Sequence, residues 1–151
     1  MLEQIISTDK SITAAVIGSG DLASEICHLV DIKKLQSNID LLGYSNNPLP
    51  KVKNAKVFLM TSRWEGTPMC VLEALAIGTP VVSTPVDGVN DLIVNGENGF
   101  LSNDDVILAK KTVEIIKNDS LRREMSEKAK MQSEIYNSIT SYKNKLMEIY
   151  D

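Results

Sequence analysis

The chain is poor in the residues that most often carry chemistry by themselves: two cysteines, one histidine, one tryptophan and two phenylalanines in 151 residues. Cys27 and Cys70 stand far apart, outside any CxxC spacing and without a neighbouring histidine, which argues against a disulfide framework and a zinc cluster. His28 sits mid-helix beside Leu29 and reads as a packing or surface residue rather than a base. Ser62 and Ser83 have neither a histidine partner nor a GxSxG setting, so nucleophilic catalysis has no support. A P-loop is absent, because no GxxxxGK[ST] occurs. Gly18-x-Gly20 lacks the third glycine of a dinucleotide fingerprint, with Asp40 only loosely where its acidic residue belongs.

Positive charge is also short. Lysine and arginine number 16 against 20 acidic residues, a net charge of -4, so no global footprint for nucleic acid or an anionic membrane exists. A bound phosphate would have to be held by backbone amides or by polypeptide outside these residues. No apolar run approaches the ~18 residues that span a bilayer, and the first residues lack a basic segment ahead of an apolar one. A reducing cytoplasm is the default reading, and Asn118-Asp119-Ser120 is then a chance glycosylation triplet. With 43% hydrophobic and 24% charged residues, the chain suits one soluble globular domain.

What is present is alternation. Met1 to Ile6 reads as the tail of an amphipathic helix without a cap, which suggests a chain cut into. Thr13 to Ile17 is a short apolar run stopped by Gly18-Ser19-Gly20, the pattern of a strand buried on both faces. Asp21 is expected to cap a helix to about Leu35 with Leu22, Ile26, Leu29 and Val30 inward. Further strands are expected at Asn38 to Gly43, Lys56 to Thr61 and Phe100-Leu101, with one helical turn at Pro50 to Ala55 and a short helix at Val89 to Val94. Helices are expected from Asn103 or Asp104 to about Lys117, from Ser120 to about Gln132, and from Tyr136 to Tyr150. Strands alternating with helices over short connections predict an α/β fold, a doubly wound, Rossmann-like and mostly parallel sheet.

The densest signal is TSRWEGTPMCVLEALAIGTPVVSTP, Thr61 to Pro85. It predicts a buried strand, a Gly/Pro turn, a nearly all-apolar helix stopped at Gly78, and a second buried strand. Ligands of open parallel sheets bind beyond the carboxyl ends of strands, which singles out Gly18 to Gly20, Gly43-Tyr44, Ser62 to Met69 and Thr84 to Gly88. Thr67 is a good N-cap and Pro68 suits the first helical position, leaving the amides of Met69, Cys70 and Val71 to face an anion or merely to begin a helix. Glu73, on an otherwise apolar helix, is expected to be buried; it accepts either backbone amides of a turn or a vicinal diol such as ribose. Glu65, before Gly66, is expected to be more exposed.

Glu65 and Glu73 with seven residues between them, followed by EALAIGTPVVSTPVDG and NGENGF, resemble the retaining, nucleotide-sugar-dependent glycosyltransferases of the GT-B fold, group 1. The similarity covers roughly residues 11 to 150. It implies that residues 1–151 form the nucleotide-sugar-binding, C-terminal half of a GT-B enzyme, with its C-terminal helices at about 104–150. It further implies that Glu73 takes the ribose hydroxyls and that Glu65, as the catalytic-side residue, takes hydroxyls of the donor sugar. Gly66, Thr67, Pro68 and the amides of Met69, Cys70 and Val71 would face sugar and diphosphate. Gly18, Gly20, Gly43 and Tyr44 would border the base.

The implied ligand is a UDP- or GDP-linked sugar, with no other cofactor and no metal, and the departing diphosphate is thought to deprotonate the acceptor. Such a domain normally begins with a further strand and helix carrying an arginine and a Lys-Gly, and works with an N-terminal acceptor domain, in cis or in trans. Without these, the chain alone is expected to transfer little sugar. A stripe of Ile135, Ile139, Tyr142, Leu146 and Ile149 either covers the sheet or, lacking a partner, makes a homodimer. Cytoplasmic placement, with membrane attachment through the other domain left open, completes the expectation. The competing readings are a non-catalytic nucleotide-sugar module or remnant and, less favoured, a hydrolase or epimerase on the same half-fold.

Overall fold

The computed structural model describes residues 1–66 and 68–137, with side chains through Glu134. Helix α1 (Leu2–Thr8) leads into strand β1 (Ala14–Ile17), helix α2 (Ala23–Ile32) and strand β2 (Ile39–Gly43). Helix α3 (Leu49–Asn54), strand β3 (Phe58–Met60), helix α4 (Met69–Ala76) and strand β4 (Val81–Ser83) follow. Strand β5 (Gly99–Leu101) precedes helices α5 (Asp105–Lys117) and α6 (Asp119–Asn137).

All strand pairs are parallel: β1 with β2, β3 with β4, and β4 with β5. β4 is the centre of its sheet and is buried throughout, as a strand covered on both faces must be. Alternation along it divides the core. Val81 packs with Val71, Ala74, Leu75, Val89, Leu92 and Ala129, whereas Val82 points to the other face with Leu108, Ile115 and Met125. Each such fully buried aliphatic side chain contributes about 1.5–3 kcal/mol relative to exposure.

Helix ends follow local chemistry. Asp104 caps α5 by accepting from the amides of Val106 at 2.7 Å and Ile107 at 3.4 Å. Gly78, at φ +80°, ends α4: its amide donates to Leu75 and that of Thr79 to Ala74, a Schellman stop that needs the left-handed backbone glycine allows. Asn98 is fully buried. It accepts from the Val94 amide at 2.9 Å and donates to the Leu92 carbonyl and Gln132 Oε1, both at 2.8 Å.

Several expectations are corrected. α2 is uncapped by Asp21 and shorter, and Leu22, Ile26 and Leu29 are exposed, leaving Val30 as its half-buried contact. β1 is only partly buried instead of covered on both faces. Val89 to Val94 forms successive turns rather than a helix, although Val89, Leu92 and Ile93 still reach the core. α6 starts at Asp119 and continues past Gln132 to Asn137, because no breaker interrupts it. The expected helix from Tyr136 to Tyr150 falls mostly outside the described residues, and so does the stripe proposed for dimerisation.

The largest difference is in the sheet itself. Instead of one continuous sheet, β1-β2 and β3-β4-β5 stand as two. Chain order runs outward from β1 to β2 on one side and from β3 through β4 to β5 on the other. The boundary between β1 and β3 is therefore the point where winding reverses, where crevices at carboxyl ends of strands form.

Candidate functional site

Beyond the carboxyl end of β3 lie residues 61–66, and α4 follows from Pro68. Pro68 is the N-cap of α4, in extended backbone (φ -75°, ψ 95°), and makes no side-chain cap bond. The helix thus opens one residue later than expected, at Met69, and Thr67 lies outside the described residues. The Pro68 carbonyl accepts from the amides of Val71 at 3.0 Å and Leu72 at 3.3 Å. Val71 is also fully buried, so its amide is used inside the helix and does not face a ligand. The helix mouth belongs to Met69 and Cys70.

Glu73 is exposed, contrary to the expectation of a buried carboxylate. The helix is not covered all round: Val71, Ala74 and Leu75 face the core, while Met69, Cys70, Glu73 and Ala76 form the open stripe three to four residues apart. Cys70 and Glu73 share with Ser62 and Glu65 the upper end of a cavity of about 930 Å³ that runs down between β1 and β3.

Glu65 is held rather than loose. It is half-buried, and Ser62 Oγ donates to its Oε1 at 2.6 Å. Ser62 is itself fixed from the next strand, since Thr84 Oγ1 donates to the Ser62 carbonyl at 2.5 Å and the Thr84 amide to Met60 at 3.2 Å. Gly88, at φ +75°, brings the loop after β4 against Gly66 and Pro68. Sequence reasoning passed over Ser62, Thr84 and Gly88 as supports. The available signal was a serine three residues ahead of a glutamate and a second Gly-containing turn after the neighbouring strand.

Electrostatics at the mouth are acidic. The part-buried Cys70 thiol is pushed above its ordinary range by burial first and then by the Glu65 carboxylate, with Glu73 adding in the same direction. The thiol is therefore kept neutral. Two carboxylates beside a helix N-terminus can accept hydroxyl groups of a polyol while the amides face an anion. Among the described residues no group of three or more His, Cys, Asp or Glu could hold a metal.

Gly18 (φ +138°) and Gly43 (φ +65°) end β1 and β2, and the Gly18 amide donates to the Gly43 carbonyl at 2.8 Å. Gly20 and Tyr44 follow them on exposed chain, Tyr44 being 73% exposed. These four form a second loop cluster at the carboxyl ends of the first sheet. They are not part of the wall that Glu65 and Glu73 share.

Residues 2–132 match the family model described as glycosyl transferases group 1. The poly(ribitol-phosphate) alpha-N-acetylglucosaminyltransferase of Staphylococcus aureus (strain COL) is 28% identical over 131 residues, 85% of this chain and 27% of that protein. The poly(glycerol-phosphate) alpha-glucosyltransferase of Bacillus subtilis (strain 168) is 32% identical over 124 residues, 80% of this chain and 18% of that protein. A crystal structure of a mutant TarM from S. aureus, in complex with fondaparinux, alpha-GlcNAc-glycerol and UDP, superposes with a TM-score of 0.85 at 25% identity. It covers 99% of this chain and 31% of that one. The chain thus spans less than a third of the length of each of these proteins. No helix among the described residues is long and apolar enough to cross a membrane.

Proposed function

The chain belongs to the glycosyl transferases of group 1, a family of GT-B enzymes, and on that premise we propose that it binds the nucleoside diphosphate sugar of a retaining sugar transfer. The observation that carries this reading is the single cavity mouth shared by Glu65, Cys70 and Glu73 at the carboxyl end of β3. Glu73 takes the ribose diol; its exposure supports the role, because a carboxylate facing the crevice is available to hydroxyls. Glu65, oriented by Ser62, takes hydroxyls of the donor sugar. The amides of Met69 and Cys70 face the diphosphate, with Gly66, Thr67 and Pro68 shaping the approach, and Gly18, Gly20, Gly43 and Tyr44 border the base.

The donor is UDP-linked in this proposal, supported by the UDP in the similar TarM structure, and no metal takes part. Acceptor and transfer belong to polypeptide beyond these residues. Charge developing on a departing diphosphate is what such an enzyme must oppose, and the acidic mouth opposes it poorly, so the chain alone binds donor and turns over little.

Calorimetry with UDP, GDP and UDP-sugars tests the reading. Glu73→Ala is expected to weaken UDP by about 1.5–3 kcal/mol, the value of a hydrogen bond to a charged group. Unchanged affinity for each nucleotide would remove the ribose assignment, and brisk transfer by the chain alone would remove the division of labour.

A further inference from the structure

A second concavity lies at the other end of the β3-β4 pair, where both strands begin. Its volume is about 320 Å³, and its walls are the chain entering β3, Gly78 to Pro80 ahead of β4, and the first half of α6. It meets the larger cavity only at Ala55 and Lys56, which precede β3, whereas Glu65 and Glu73 follow that strand. Sites for small ligands begin at ~300 Å³, so the volume suits a small one. Among its walls only Ala55 and Pro80 carry apolar side chains, which favours a polar occupant over an apolar one.

Five cations line it, Lys53, Lys56, Arg122, Arg123 and Lys130, against one carboxylate, Glu127. A net charge of -4 hides such a cluster, because a sum does not say where the cations stand. Two of them have structural partners. Arg122 donates to the Ile115 and Ile116 carbonyls, both at 3.3 Å, and to Asp119 at 2.7 Å. Lys56 donates to the Ile116 carbonyl at 3.3 Å, so both close the C-terminus of α5. Lys53, Arg123 and Lys130 make no hydrogen bond or ion pair among the described residues, the pairs within α6 being Arg122 with Asp119 and Lys128 with Glu124. Glu127 follows Arg123 by four residues and precedes Lys130 by three, spacings at which helix pairs form, yet it pairs with neither. Lys130 is placed all the same: a β-carbon on Gly78 would collide with its Cε and with Ser126 Oγ, so its stem lies along the glycine backbone. The half-buried Ser126 hydroxyl beside it has no hydrogen-bond partner among the described residues.

We propose that this concavity binds a phosphate-bearing anion, apart from the donor crevice: Arg123 and Lys130 of α6 and Lys53 of α3 supply the charge, and Ser126 Oγ a neutral donor. Cations from two elements that converge on one concavity repel one another. A dianion among them reverses that term and takes a charge-assisted hydrogen bond from each. Phosphate fits better than carboxylate, because its terminal oxygens accept from several directions and it carries close to two charges at neutrality. The planar guanidinium of Arg123 also matches phosphate geometry. Glu127 opposes the anion, so its charge sets a limit on the affinity.

Inorganic phosphate and pyrophosphate are the probes, titrated into the 151-residue chain at constant ionic strength and followed by amide NMR shifts. Saturable shifts are expected at Gly78, Thr79 and Ser126. Arg123→Gln combined with Lys130→Gln should weaken pyrophosphate about tenfold or more, Glu127→Gln should tighten it, and Glu73→Ala in the crevice should leave it unaltered. The double variant should keep the parent's circular dichroism and its affinity for UDP, so this site and the donor reading stand or fall separately. Flotation with phosphatidylcholine vesicles carrying phosphatidic acid distinguishes the sources of the anion. Lift of the parent chain but not of the double variant, competed by pyrophosphate, assigns a lipid headgroup; saturable pyrophosphate binding without lift assigns the free anion. The proposal is overturned if Gly78 and Ser126 stay unshifted in a folded chain at pyrophosphate on the order of 10 mM, or if the double variant keeps the parent's affinity. It is equally overturned if chloride at matched ionic strength gives the same shifts, which would leave only the screening of a solvated surface.

Discussion

The carbonyl oxygen of Gly66 occupies the space that a β-carbon on Gly88 would need, and Pro68 closes the same spot from the side. Two loops from adjacent strands, one carrying Glu65 and the other following Thr84, therefore meet backbone to backbone. Gly88 also sits at φ +75°, which L side chains adopt with strain. Gly88→Ala should push the 61–68 loop out of place, lowering stability by about 1–3 kcal/mol and weakening nucleotide binding. Urea denaturation and calorimetry would measure both; an alanine variant with unaltered binding would show that the contact does not position the site.

Ser62 predicts a different signature. Its hydroxyl donates to Glu65 from 2.6 Å. Ser62→Ala frees the carboxylate without altering the fold, so the expected loss is in affinity for UDP-sugar, about 1.5–3 kcal/mol at most, with UDP itself nearly unaffected. Equal loss for UDP and UDP-sugar would place Glu65 away from the sugar.

The two thiols should differ. Both are exposed residues, Cys27 on α2 and Cys70 at the start of α4, but the Cys70 thiol is pushed up by partial desolvation and then by the nearby Glu65. At pH 8 a thiol reagent should label Cys27 first and Cys70 slowly, since the thiolate is the reacting form. Bound nucleotide should slow Cys70 further and leave Cys27 as it was. Matching rates at the two cysteines would contradict this arrangement of the mouth.

Acid should act through Asp9. Its carboxyl is held well below the usual carboxylate range by the Ser11 hydroxyl, then by Lys117 at 2.9 Å, then by the Ser11 amide. A lowered folded value means that the stabilisation is present above the ordinary aspartate range and is lost as pH falls through the lowered value. Asp9→Asn should therefore be less stable than the parent chain near neutrality and converge with it in strong acid, as followed by urea midpoints. A constant difference at every pH would assign the effect to packing.

How much of this was legible in the order of residues divides along physical lines. Alternation of apolar runs with glycine turns specified the parallel α/β class, because strand and helix periods and turn chemistry are local properties. The Gly78 stop was local too and stands as expected, and of Asn103 and Asp104, between which the sequence left the choice open, Asp104 is the cap. The Glu65 to Glu73 element identified the family, confirmed by the match over residues 2–132.

What depends on the third dimension was decided elsewhere. Glu73 is exposed because only one side of α4 meets the core, and composition does not say which sides of a short apolar helix are covered. Val71 left the ligand-facing set because the Pro68 carbonyl captured its amide. Ser62, Thr84 and Gly88 became supports only when adjacent strands brought their loops together. The break between β1 and β3 is the clearest case: each strand is well formed by its own residues, yet pairing requires a neighbour at the right distance, and that neighbour is supplied by tertiary structure rather than by the strand itself.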